Sequence, residues 1–72
     1  MNIAESADRN LTAREMECLT GLADGLNSEG IAKRLNIAIP TVAMHLSNAR
    51  RKLGAHTREQ AVAVALRRGV IT

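Results

Sequence analysis

The sequence has no phenylalanine, tyrosine or tryptophan among its 72 residues. Its core must therefore be built from Leu, Ile, Val, Ala and Met. The absence of aromatic rings argues against a carbohydrate site, an aromatic cage and single-strand nucleic-acid binding by base stacking. A chain of this length forms one domain and buries only about 60% of its unfolded surface, so we expect modest stability.

The sequence has one cysteine, Cys18, and cannot form an intramolecular disulfide. This composition favours a reducing compartment. No apolar run approaches the length of a membrane span, and no signal peptide opens the chain, so we expect a cytoplasmic protein that binds no membrane. Its two histidines and one cysteine have no zinc-ligand spacing, so no metal and no cofactor are expected.

The charges are divided unevenly along the chain. Residues 1–30 carry six acidic and two basic side chains, whereas residues 31–72 carry one acidic and eight basic side chains, within a total charge of +3. A domain with a basic pole attracts polyanions such as nucleic acid. Charge alone leaves a basic surface that only faces solvent as an equal alternative.

Hydrophobic periodicity predicts four helices, at about 13–24, 28–35, 39–53 and 58–68, and no strand. Short turns between short helices favour an all-α, compact four-helix bundle over residues 11–72. Residues 1–10 have no sustained period and are expected to form a flexible N-terminal arm. Besides the stripe of the third helix described below, the residues that share the inner side of their helices are Leu11, Glu15, Cys18, Leu19, Leu22, Leu26, Ile31, Ala32, Leu35, Ala61, Val62, Ala65 and Leu66.

Residues at the helix ends support these boundaries. Thr12 with Glu15, and Thr57 with Gln60, have the spacing of a capping box, in which each side chain accepts from the other residue's amide. The second helix is expected to be capped by Asn27 or Ser28. Residues that tolerate a left-handed conformation follow the four helices: Gly25, Asn36, Gly54 and Gly69.

The third predicted helix has two different faces. At about 100° per residue, its apolar residues form one narrow stripe made of Val42, Leu46, Ala49 and Leu53. Small, polar and basic side chains cover the remaining surface. With the second helix and the turn between them, this pattern predicts a helix-turn-helix, in which the third helix enters the major groove of DNA.

A set of motifs at ungapped spacing extends over nearly the whole chain. They are Leu11-Thr12-x-Arg14-Glu15-x-Glu17-x-Leu19, Ala23-x-Gly25, Ile31-Ala32-x-x-Leu35, Thr41-Val42-x-x-His45-Leu46, Asn48, Arg51-Lys52-Leu53 and Gln60-Ala61-Val62. From Leu11 to Ile71 the chain resembles the LuxR/GerE-type helix-turn-helix domain of bacterial transcription regulators. The resemblance implies a regulator, or its output domain, that binds double-stranded promoter DNA, usually as a homodimer.

The resemblance also implies roles for individual residues. Those that would face base edges are Ala43, Met44 and Ser47. Those that would contact or approach phosphates are Thr41, Asn48, Arg51 and Lys52, together with Asn27 and Ser28 at the positive end of the second helix dipole. Those that would form a dimer contact on the last helix are Ala63, Val64 and Arg67.

Two positions depart from the family pattern. Gly30 stands where the family usually has Glu, which removes a capping partner and weakens the second helix by about 1 kcal/mol relative to Ala. The base-facing residues Ala43, Met44 and Ser47 offer one hydroxyl and no long donor, so bidentate recognition of guanine or adenine is excluded for them. Recognition of a particular sequence would then come from apolar contact with thymine methyl groups, from Ser47, from Arg51 or Asn48 if they reach inward to the bases, or from DNA shape.

The sequence also bears on two other classes of function. A protein-interaction module, in which the scaffold pairs with another regulator through its last helix, is favoured by the poor base-facing set. The set of residues assigned to phosphates argues against such a module. An enzyme is not expected, because the sequence has no nucleophile–base pair, no phosphate loop and little room for a pocket.

Overall fold

The computed structural model describes residues 10–72. These residues form four α-helices and no strand: α1 (Ala13–Ala23), α2 (Ser28–Leu35), α3 (Ile39–Lys52) and α4 (Arg58–Arg67). The all-α prediction is therefore confirmed, whereas the flexible arm predicted for residues 1–10 lies, apart from residue 10, outside the described residues. Within the described part of the chain, no helix is long and apolar enough to cross a membrane.

Each predicted helix agrees with the structure to within one residue. Three predictions extended one residue too far at the C-terminal end, to Asp24, Leu53 and Arg68. These cap residues keep right-handed backbone angles, and the chain leaves the helix only at the positive-φ glycine that follows each of them. Periodicity does not separate a cap from the last helical residue, because both share the same conformation.

The start of α1 is a complete capping box, as predicted. The hydroxyl of Thr12 accepts from the amide of Glu15 at 3.0 Å, and Oε1 of Glu15 accepts from the amide of Thr12 at 3.0 Å. At α2 the cap is Asn27, whose Oδ1 accepts from the amide of Gly30 at 2.9 Å. The two helices thus begin where their capping side chains satisfy first-turn amides.

The capping box predicted for α4 is only half present. The hydroxyl of Thr57 accepts from the amide of Gln60 at 3.0 Å. The side chain of Gln60 does not accept from the amide of Thr57. Its Oε1 accepts instead from the amide of His56 at 2.6 Å. The reciprocal bond was therefore assigned to the wrong amide, since the glutamine satisfies the donor that precedes the cap.

The turn between α2 and α3 is set by Asn36, which has φ 56° and ends α2 in the left-handed region. The amide of Ile37 donates back to the carbonyl of Ala32 at 3.1 Å and closes this turn. Ala38 provides no side-chain cap for α3, and Pro40 fits the first turn, where no intrahelical amide bond is needed. The turn therefore fixes where α3 starts relative to α2.

α3 packs against all three other helices. Its predicted stripe is confirmed, since Val42, Leu46, Ala49 and Leu53 are all at most 4% exposed. α1 and α2 approach closely at Gly21, where an added Cβ would lie 2.6 Å from Cγ1 of the fully buried Ile31. The core is thus centred on the inner face of α3, and the opposite face is left at the surface.

The inner face of α4 is narrower than predicted. Ala61 and Ala65 are fully buried and Val62 is half-buried, but Leu66 is 46% exposed. Two alanines one turn apart form the contact line, and Leu66 lies about 100° around the helix from Ala65. The assignment of Leu66 to the core was therefore wrong. Its side chain lines a surface groove with Leu22 of α1 and Leu26 of the loop that follows.

Candidate nucleic-acid interface

The outward face of α3 lies opposite its buried stripe. On a helical projection Met44 and Arg51 fall on nearly one line, because seven residues turn the helix through almost two full turns. Met44 is 52% exposed, Ser47 and Arg51 are exposed, and Ala43 is half-buried at the margin of this face. The structure therefore brings the three predicted base-facing residues together on the first two and a half turns.

Arg51 and Asn48 form a polar pair on the same face. Nη2 of Arg51 donates to Oδ1 of Asn48 at 2.8 Å, and the bond is exposed. Thr41 is half-buried at the start of the helix. Three residues predicted to approach phosphates thus border the uncharged patch made of Ala43, Met44 and Ser47.

Lys52 follows Asn48 by one turn, but its ammonium is turned away from this face. Its Nζ donates to Oε1 of Glu15 at 2.8 Å, to Oε2 at 3.1 Å and to the carbonyl of Asn10 at 2.7 Å. An ammonium has three donors, and all three are used by these contacts. The structure thus directs the charge toward α1, and Lys52 is not brought to the group predicted to meet phosphates.

Glu15 is a buried carboxylate with two functions, because its side chain is only 3% exposed and both caps α1 and pairs with Lys52. Burial raises its pKa, but the hydrogen bond from Lys52, the amide of Thr12 and the positive charges of Lys52 and His45 together bring the pKa below its usual value. The ion pair therefore joins a charged Glu15 to the last turn of α3.

The three basic residues in the last turn of α3 point in different directions. Nη1 of Arg50 donates to the carbonyl of Ala55 at 2.9 Å, and Lys52 pairs with Glu15. Of the three, Arg51 is the one on the outward face. Of the basic run in the sequence, Arg51 therefore points outward, whereas Arg50 and Lys52 bind neighbouring parts of the fold.

The N-terminus of α2 lies beside the start of α4. Nη1 of Arg58 donates to the hydroxyl of Ser28 at 3.1 Å, close to the exposed cap Asn27. This cation adds to the positive end of the helix dipole at the place where Asn27 and Ser28 were predicted to approach a phosphate. Sequence reasoning missed Arg58, because residues 28 and 58 are joined only by tertiary packing.

The predicted dimer contact on α4 is at the surface. Ala63 and Arg67 are exposed one turn apart, and Val64 is partly buried against the core. Dimerisation through this strip stays a prediction.

Metal and thiol chemistry find no support in the described residues. Among residues 10–72 no three His, Cys, Asp or Glu side chains are grouped so as to hold a metal ion. Cys18 is completely buried, and this burial raises the pKa of its thiol, as does the nearby charge of Glu17. Cys18 therefore packs as a small apolar residue.

Comparisons with known proteins agree with this geometry. Residues 9–65 match the sequence model of GerE, described as bacterial regulatory proteins, luxR family. The chain is 46% identical over 61 residues to the transcriptional activator protein VanR of Vibrio anguillarum, covering 85% of this chain and 25% of VanR. It is 40% identical over 72 residues to the transcriptional activator protein LuxR of Aliivibrio fischeri, covering 99% of this chain and 29% of LuxR.

A solved structure shows the same fold. The transcription factor GerE superposes with a TM-score of 0.82 at 37% identity, over 86% of this chain and 92% of the GerE chain. The response regulator ChrA of a heme-sensing two-component system superposes with a TM-score of 0.80 at 38% identity, over 85% of this chain and 30% of ChrA. The chain thus corresponds to nearly all of one solved relative and to less than a third of the other.

Proposed function

This chain belongs to the LuxR family of bacterial regulatory proteins and is a helix-turn-helix DNA-binding domain, and we propose that it acts as a transcription regulator, or as the output domain of one, that binds promoter DNA as a homodimer. The family is one of transcription regulators and not a class of enzymes. We therefore propose that this chain catalyses no reaction and that it acts in the bacterial cytoplasm, where promoter DNA is found.

The observation that carries the proposal is the division of α3 into a fully buried stripe and an exposed opposite face. A helix with its side chains is about 10–12 Å across, and the major groove is about 12 Å wide. Because Val42, Leu46 and Ala49 hold the inner face at the centre of the bundle, the outward face projects as a rigid surface. We place its first turns against base edges, with Ala43, Met44 and Ser47 in contact.

Phosphates on either side of the groove would be held by two groups of residues. On α3 these are Thr41, Asn48 and Arg51, and at the start of α2 they are Asn27, Ser28 and the neighbouring Arg58. Arg51 and Arg58 are the cations in this set. Lys52 is left out of the contact set, because its ammonium is paired with Glu15.

The dimer would form through α4, with Ala63, Val64 and Arg67 packed against the same residues of a second copy. A two-fold axis there would present two α3 helices to half-sites about one helical turn apart, 10–10.5 base pairs. Binding of a duplex with two half-sites by two chains, measured by analytical ultracentrifugation, supports this arrangement. Saturation at one chain per site contradicts it.

A salt titration of duplex binding tests the DNA proposal. Each neutralised phosphate contributes a slope of about −0.9 in log K against log salt, so two arginines per protomer predict about −1.8 and a dimer about twice that. Arg51→Ala should make the slope less negative by about 0.9 for each protomer. Arg14→Ala on α1 is the matched control, since Arg14 pairs with Glu17 on its own helix, and its slope should equal that of the unchanged chain.

Besides the poor base-facing set, the alternative of a protein-interaction module is favoured by the exposed Leu66, which lies beside Leu22 and Leu26 in the groove between α1 and α4. The same titration separates the two functions. A module that binds protein alone predicts no salt-dependent affinity for any duplex, and that result would overturn the DNA proposal.

A further inference from the structure

The base-facing part of α3 is uncharged. Its residues Ala43, Met44 and Ser47 carry one hydroxyl among them, and the largest exposed side chain is the thioether of Met44, at 52%. Met44 lies at the centre of the outward face and not at its margin, because the buried stripe is on the opposite side of the helix. An apolar side chain at this point is the first to meet any surface that α3 approaches.

The long donors that usually identify bases are held elsewhere. Arg50 donates to the carbonyl of Ala55, and the ammonium of Lys52 donates to Glu15 and to the carbonyl of Asn10. Arg51 is bonded to Asn48 two turns beyond Met44. The first two and a half turns of α3 contain no Arg, Lys, Asn or Gln, which are the side chains that form bidentate bonds with guanine or adenine.

The major groove contains one apolar group that identifies a base, the C5-methyl of thymine. Resting on the proposed function, we infer that this chain selects its operator by thymine methyl groups packed against Met44 and Ala43, with the hydroxyl of Ser47 adding one polar contact. The unbranched thioether of Met44 adapts to a methyl at more than one depth in the groove. Met44 is thus the main specificity-determining residue, and the preferred half-site has thymines under the start of α3.

The test compares duplexes that differ only in these methyl groups. Binding sequences are first selected from a random duplex pool with the unchanged chain, and each thymine of the selected site is then replaced by deoxyuridine. Loss of one buried methyl should weaken binding about fourfold, from the usual gain for burying a CH₂ group. Thymines outside the segment that α3 contacts should tolerate the same replacement without loss.

A variant assigns the effect to Met44. Met44→Ala should bind the thymine duplex several-fold more weakly and should lose most of its discrimination between thymine and deoxyuridine. Leu66→Ala removes another exposed apolar side chain, on α4 and 46% exposed, and should keep the full discrimination. Circular dichroism of both variants establishes that the helices are intact, which is expected because both side chains are about half exposed.

The outcomes separate the two proposals. Equal affinity for thymine and deoxyuridine duplexes, with the salt dependence of binding preserved, would overturn methyl recognition, leave the DNA-binding proposal standing and point to DNA shape. Discrimination that persists in Met44→Ala would also overturn the assignment. The absence of salt-dependent binding to any duplex would overturn the proposed function, and methyl recognition with it.

Discussion

Nζ of Lys52 lies 2.8 Å from Oε1 of Glu15 and joins the last turn of α3 to the first turn of α1. The same oxygen of Glu15 accepts from the amide of Thr12 and caps α1. Lys52 is 29% exposed and Glu15 only 3%. A single carboxylate therefore both begins one helix and positions another, and α3 is held to the bundle by an ion pair as well as by its apolar stripe.

Replacing Lys52 with Met should destabilise the fold. The change leaves Glu15 buried with an uncompensated charge, and a buried acceptor that loses its partner costs about 1–3 kcal/mol in the free energy of unfolding. Urea unfolding followed by circular dichroism measures the loss. Lys33→Met is the matched control, because Lys33 is 78% exposed in its pair with Glu29 and such pairs contribute about 0.5 kcal/mol or less. Equal losses in the two variants would contradict a special role for Lys52.

Acid should remove the contribution of Glu15. Its pKa is lowered in the folded chain from an ordinary value of 4.5, so its charged form stabilises the fold above that pH. This contribution is lost as the pH falls from 4.5 through the folded pKa, because the unfolded state takes up the proton more readily than the folded state in this range. The free energy of unfolding of the unchanged chain should therefore exceed that of Glu15→Gln at pH 7, and the difference should shrink below pH 4.5. A difference that stays constant from pH 7 to pH 3 would contradict the assignment.

Gly21→Ala should destabilise the chain although alanine favours helices. The new Cβ would lie 2.6 Å from Cγ1 and 3.2 Å from Cδ1 of Ile31, which is fully buried. The gain in helix propensity is about 1 kcal/mol, and overpacking a core costs about 1–3 kcal/mol. We expect a lower thermal midpoint for Gly21→Ala. In the double variant with Ile31→Ala, which removes both Cγ1 and Cδ1, the loss should be smaller than the sum of the two single losses. Simple additivity would show that the helices do not compete for this space.

The helices could be predicted from the sequence because their end signals are local. Thr12, Asn27 and Thr57 each satisfy an amide three residues ahead, and the positive-φ residue Asn36 is close to the helix it ends. The stripe on α3 was equally predictable, since it depends only on helical periodicity. These features need no knowledge of which helix packs against which.

The partners of charged residues could not be predicted in the same way. Periodicity places Lys52 on the surface of α3 outside the buried stripe and does not link it to Glu15, which already had a complete local explanation in its capping box. Arg58 meets Ser28 across thirty residues, and no local pattern links them. Leu66 was assigned to the core for a similar reason: periodicity gives the inner side of α4 but not the width of the face that the neighbouring helices cover.

The salt dependence of DNA binding should distinguish Lys52, which positions α3 through its ion pair with Glu15, from a residue that contacts a phosphate. If Lys52 positions α3, then Lys52→Met should lower duplex affinity by the same factor at every salt concentration, because no phosphate contact is removed. Arg51→Ala should instead lose most affinity at low salt and reduce the slope of log K against log salt by about 0.9 for each protomer. Affinities are measured by fluorescence anisotropy from 50 to 200 mM salt, at a temperature where both variants are fully folded. A change of slope in Lys52→Met equal to that in Arg51→Ala would mean that the ammonium leaves Glu15 on binding and contacts a phosphate.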